Sequence, residues 1–296
     1  MVDPLVSLAA LSFALATEPE AIAGDPGPSP RCPPDMRLVE GTHYENMAHL
    51  CLDPREEGKK VTHCFHYADD LSLLEGPTTA VAVCMDQFEA PNQRGAKPLV
   101  MQSYRSTVRY CSERKKRPCS EQEWELGCEG PHHLPLAYGW QVDVKLCNSN
   151  KGWKPVDFEA FAKSREDAQA ETEKLWQGTP SGRFRTCVSP YGIFDMMGNV
   201  EEWVSSRASR RFPGALMGGF WAKPWTGCRG TNDAHEPEFA FYETGFRCCK
   251  DPSEPGATAA EAPKGKGSAS SAPAPSAPPE GKHKAGKRKH HGEHKP

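Results

Sequence analysis

Hydrophobic positions recur along this chain in short, unlike runs, and the clearest of them predict helices. Over 101–115, Tyr104, Val108 and Cys111 fall three or four residues apart with Arg105, Arg109 and Glu113 elsewhere, so one face is apolar and Cys111 turns inward. Ser120 followed three residues later by Glu123 has capping-box spacing and predicts the start of a second helix. Trp124 and Cys128 then lie one turn apart on its inner side. A third helical stretch, 158–176, is densely charged and reads as part of a surface insertion over 155–180. Strands are short and scattered, at 36–40, 81–89, 215–219 and 245–248, and none alternates for long. With no internal repeat, the pattern describes a single α+β domain with much irregular structure, over 32–250.

Both ends depart from this pattern. Residues 5–16 are mostly apolar and end in Ala14-Leu15-Ala16, so 1–16 reads as a signal peptide; Asp3 stands where a lysine or arginine is expected, and a buried N-terminal helix is the alternative. The stretch is too short to span a bilayer, and no later segment is long enough, so no membrane span is expected. Residues 17–31 are acidic and Pro/Gly-rich, as a linker is. Residues 251–296 lack aromatics and cannot bury enough apolar surface to order themselves. From Pro252 on, eight lysines and arginines against four glutamates give +4 in a chain of net charge −3, so the remainder carries −7. Such a tail can meet an anionic surface or, through His290, His291 and His294, a transition metal; a solvated tail without a partner is the plainer reading. The modest total argues against specific nucleic-acid binding.

Twelve cysteines, from Cys32 to Cys249, are many for a reduced compartment and point to an exported, periplasmic or extracellular protein. No C-x-x-C pair is present, which argues against zinc, and an even number leaves none over for nucleophilic chemistry. The His63-Cys64-Phe65-His66 cluster is the internal one that looks ligand-like, with a surface loop as the alternative.

The richest stretch is 189–249. It contains SPYGIFDMMGNVEEWV, GGFW, CRG and GFRCC, and it resembles the C-terminal part of the formylglycine-generating enzyme, or sulfatase-modifying factor, family. The family's G-N-V-x-E-W, G-G-x-W and G-F-R-C elements match Gly198 to Trp203, Gly218 to Trp221 and Gly245 to Cys248. CPPDMRLVEG and, less closely, VCMDQFEAPN resemble its opening elements, while Tyr110-Cys111, Lys116-Arg117 and Glu123-Trp124-Glu125 look like its helical pattern. The resemblance implies the formylglycine-generating-enzyme fold, a variant related to C-type lectins, irregular and stapled by disulfides. It implies the bridges Cys111–Cys248 and Cys128–Cys228. Elimination and proximity add Cys119–Cys249, Cys147–Cys187, Cys51–Cys64 and Cys32–Cys84.

One omission decides the functional expectation. Catalytic members of the family carry, between the G-G-x element and the structural cysteine, two reactive cysteines that bind copper and oxidise a sulfatase cysteine to formylglycine. Here that interval, 220–227, contains no Cys, His or Met. The resemblance minus its thiols implies a binding or scaffold module, with Phe220, Trp221, Lys223 and Trp225 as the surface for a peptide or glycan. An oxygen-dependent oxidoreductase using iron or copper elsewhere is the alternative. The resemblance also implies calcium at Asp195, Gly198, Val200 and Glu202, with Asn148 as a ligand of a second calcium. The other reading of that turn is hydrogen bonding to Asn199, with Glu202 in a salt bridge. Glu201 stands where the family usually has Trp.

Overall fold

The longest element is a hairpin that the apolar pattern shows only at its inner end. β1 (Met36–Cys51) lies antiparallel to β4 (Tyr67–Asp86), in register from Met36 opposite Asp86 to Cys51 opposite Tyr67. Between them the small hairpin β2 (Pro54–Glu57) and β3 (Val61–Cys64) caps the far end, its base closed by Cys51–Cys64. The expected strands 36–40 and 81–89 thus underestimate both partners. Met36, Val39, Val81, Val83 and Met85 are buried, whereas Leu50, Leu52 and Leu73 further out are exposed. A ribbon with no core beneath it has no need of alternating apolar residues, so periodicity fails there although pairing continues.

The computed structural model describes residues 27–57, 61–223 and 226–254. The proposed leader 1–16, most of the linker, Trp225 and all but the first few tail residues lie outside these. Among the described residues no helix is long and apolar enough to cross a membrane.

α1 (Tyr104–Glu113) begins at Ser103, whose hydroxyl accepts from Ser106 N while Ser106 returns a hydroxyl to Ser103 N. It buries Thr107 and Cys111 but leaves Val108 exposed. The apolar face expected from Tyr104, Val108 and Cys111 is therefore shifted: Tyr104, Thr107 and Cys111 point to the core. After β5 (Arg117–Pro118) comes α2 (Glu121–Glu129), opened by the expected box between Ser120 and Glu123. α2 is wedged between two four-stranded sheets. The first has the order β1-β4-β10-β5, the second β8-β7-β6-β9. Burial on all sides forces its polar positions to find partners. Glu121, Glu125 and Glu129, one turn apart, meet Arg210, Arg207 and Arg229 respectively, and His43 Nε2 lies 2.6 Å from Glu125 Oε2.

The charged stretch forms two helices, α3 (Phe158–Lys163) and α4 (Arg165–Leu175), because Ser164 breaks the first and caps the second through Asp167 N. The second sheet follows: β6 (Glu201–Ser205) pairs antiparallel with β7 (Gly214–Met217), which pairs with β8 (Thr231–Asn232). β6 also pairs parallel with β9 (Thr244–Phe246). At Arg247 the chain leaves this sheet and enters the first as β10 (Cys248–Lys250). One expected strand, 245–248, is thus two.

Six disulfides join Cys32 with Cys84, Cys51 with Cys64, Cys111 with Cys248, Cys119 with Cys249, Cys128 with Cys228 and Cys147 with Cys187. Adjacent Cys248 and Cys249 point to opposite sides of β10 and fasten it both to α1 and to the lead-in of α2. Replacing Cys111 and Cys248 together by Ala opens a link between residues 137 apart in sequence. It should lower unfolding stability by roughly 2–5 kcal/mol, read from denaturant titration.

Candidate functional site

Where the chain crosses between the sheets, the sequence elements singled out above meet. Arg247 and Glu202 are buried and form a bidentate pair, Nε to Oε2 at 2.6 Å and Nη2 to Oε1 at 2.5 Å. Trp124 Nε1 also donates to Glu202 Oε2, at 2.8 Å. The remaining guanidinium donors reach main-chain carbonyls of Asp86 and Phe194. Beside this pair lies a second group, centred on Glu89. Its carboxylate accepts from Asn199 Nδ2, from Ser181 Oγ at 2.8 Å and from Val200 N. Glu89 is buried beside Asp195 and Glu202, and burial first, then these two carboxylates, push its carboxyl well above the ordinary range. Burial likewise raises Asp195 to about 7, although Gly182 N donates to its Oδ2 at 2.6 Å.

The turn at 195–200 is held by these groups. Gly198 has φ +79°, and a Cβ there would lie 2.4 Å from Asn148 O, so no other residue fits. Asn199, also at positive φ, receives Asn148 Nδ2 on its Oδ1 and donates its N–H to Asn148 O. The carboxylates expected to hold calcium are thereby engaged: both Glu202 oxygens face Arg247, and Asp195 faces a backbone N–H. Calcium binding at Asp195, Gly198, Val200 and Glu202 would require Glu202 to leave Arg247 and Asp195 to leave Gly182 N. Asn148 Oδ1 is buried without a donor, but one amide oxygen is not a calcium site.

The interval after the glycine pair is closed. Gly218 and Gly219 turn the chain so that Trp221 N donates to Asn199 O and Trp221 O accepts from Lys151 N. Phe220 and Trp221 are 5% and 1% exposed, packed with Leu175, Val200 and Tyr242 and with Trp176 against the Trp221 ring. An open platform at Phe220 and Trp221 is therefore corrected. The insertion, read as a surface excursion, buries the inner face of α4 over these rings and leaves Trp153 and Phe158 as the exposed aromatics nearby. Lys97 fastens this flap from below, bonded to Glu173 and lying over the Trp176 ring.

Lys223 does not face solvent alone. Its Nζ is 2.9 Å from Glu201 Oε1, the carboxylate that replaces the family's usual Trp. Glu243 lies alongside, buried, with Oε2 lacking a partner. Burial, with some repulsion from Glu201, raises Glu243 to about 8. Sequence reading missed Glu89, Glu243 and Arg247 as interacting groups; Arg247 was in view within GFRC, but its partner is 45 residues away.

Residues 35–252 match the family described as the sulfatase-modifying factor enzyme 1-like domain. The chain belongs to that family. Among solved structures, the family member's fold resembles that of CarF, at 14% identity and TM-score 0.47 over 74% of this chain and 98% of that one. It also resembles PvdO from Pseudomonas aeruginosa, at 16% and 0.46 over 73% and 94%, and Treponema denticola variable protein 1, at 12% and 0.42 over 73% and 95%.

Two outcomes test the site. Glu202→Gln leaves Arg247 buried with its charge unmatched and should cost about 3–5 kcal/mol, whereas adding calcium or a chelator should leave the wild-type melting temperature unchanged. Glu243 is protonated in both folded and unfolded chains below its ordinary 4.5, so its contribution is fully present there and is lost as pH rises towards about 8. Glu243→Gln should therefore gain stability relative to wild type across that window, as read from melting temperature against pH.

Proposed function

We propose that this member of the sulfatase-modifying factor family is an exported binding or scaffold module that does not generate formylglycine. The observation that carries this reading is the state of the thiols. All twelve cysteines are paired, and the interval 220–227 that holds the reactive pair in catalytic members contributes instead Phe220, Trp221 and a lysine bonded to Glu201. A disulfide cysteine is not a thiolate, so it neither ligates copper as those members do nor attacks a substrate.

The packing supports the same conclusion. Formylglycine generation needs a substrate peptide laid beside its oxidant, and here the insertion's Leu175 and Trp176 lie on the rings that would floor such a groove. Six disulfides in one domain also suit an oxidising compartment, which supports export. Incubating the purified protein with copper, oxygen and a sulfatase-motif peptide should leave the peptide cysteine unmodified by mass spectrometry. Conversion to formylglycine would overturn the proposal, and stoichiometric iron or copper in the purified protein would turn it towards an oxidoreductase.

A further inference from the structure

A cavity of about 690 Å³ lies away from the closed interval, between the β2–β3 hairpin and the loop 138–146. Its walls are fixed by main-chain bonds: Tyr67 N donates to Trp140 O at 2.9 Å, Val142 N donates to Phe65 O at 2.8 Å, and His66 bridges Gln141. The Cys51–Cys64 disulfide ties the hairpin that forms one side. Trp140 is braced from behind by the edge of His49, 5.5 Å between centroids. The cavity is therefore built by tertiary contacts rather than left between loose loops.

Its lining combines aromatic rings with unbalanced negative charge. Phe65, Tyr138 and Trp140 supply the rings, and Asp53, Asp69 and Asp143 supply carboxylates against one permanent cation, Arg55, with the titratable His66 on the same wall. Arg55 is already used: Nη2 lies 2.7 Å from Asp53 Oδ2, and the guanidinium sits 4.0 Å over the Phe65 ring. Asp143 accepts from the Lys145 N–H, and neither it nor Asp69 has a cationic side-chain partner among the described residues. Burial pushes Tyr138 up to about 12, so it stays neutral and adds no competing charge. The acids are too dispersed to act as a metal cage: no group of three His, Cys, Asp or Glu side chains among the described residues can hold an ion.

We infer that this cavity is a recognition site for an organic cation, an alkylammonium or guanidinium head on a hydrocarbon stem. Spread carboxylates suit a diffuse cation better than a small metal ion, and ring faces attract such a head while packing its stem. An anionic ligand would meet two unpaired carboxylates. Arg55 on Phe65 already displays, with the protein's own side chain, the contact that a ligand would make. The size is that of a small-molecule site. This inference does not depend on whether the family's oxidising chemistry has been lost.

The test uses the full chain and three probes: Nα-acetyl-lysine methylamide, its norleucine counterpart with the same stem and no charge, and methyl α-glucoside. Calorimetry and ligand-observed NMR should show the lysine probe binding at least tenfold more tightly than norleucine, with added salt weakening it. Trp140→Ala and Asp143→Asn should each weaken the lysine probe about tenfold. Asp69 is exposed, so Asp69→Asn keeps the test intact if either other variant misfolds. Equal binding of lysine and norleucine, preference for the glucoside, no saturable binding, or unchanged affinity in Asp69→Asn and Asp143→Asn would each overturn the assignment.

Discussion

The buried pair of Arg247 and Glu202 is the contact on which the arrangement of the two sheets depends. Arg247 sits between β9 of one sheet and β10 of the other, and its guanidinium binds β6 through Glu202 and the end of β4 through Asp86 O. Trp124 adds α2 to the same carboxylate. A guanidinium taken out of water is tolerated when its donors are met in good geometry, and the partners here come from distant segments. The pair thereby ties β6, the end of β4 and α2 to the crossing between the sheets.

The neighbouring carboxylates extend that constraint into the turn at 195–200. Glu89 holds Asn199, Asn199 holds Asn148, and Trp221 N is in turn held by Asn199 O. The positions that carry the family pattern thus meet in two adjacent buried polar groups, one around Arg247 and Glu202 and one around Glu89 and Asn199. The interval 220–227 lies just outside them. The interval that carries thiols in catalytic members is anchored here by Lys223 on Glu201, and the insertion's α4 seals it. A lysine, a glutamate and a helical flap together make this interval part of the core.

Cysteine pairing strengthens the same frame. β10 is only three residues long, yet its two cysteines reach in opposite directions to α1 and to the start of α2. Short strands with few ladder bonds gain position from such links rather than from the strand itself. The outer β1–β4 ribbon is the contrasting case. It is long, sparsely covered and carries the small hairpin whose fold creates the cavity lined by Trp140 and Asp143.

Features expressed within a few residues were legible in the sequence. The capping box at Ser120 and Glu123, the inward cysteines of both helices, the glycine turns and the missing thiols of 220–227 all depend on local spacing or on residue identity. So does family membership, because the motif residues are read from identity and spacing alone. Other features came from partners far along the chain. The outer ribbon has no apolar period because no core lies under it, Val108 turns outward because packing selects a neighbouring helix face, and Glu202 is paired with a guanidinium because Arg247 arrives from another strand. By itself the sequence determined which residues the frame uses and that the interval 220–227 contains no thiol; only the tertiary structure decided that the aromatic interval is closed and that a charged cavity opens elsewhere, because burial and charge balance are properties of segments brought together.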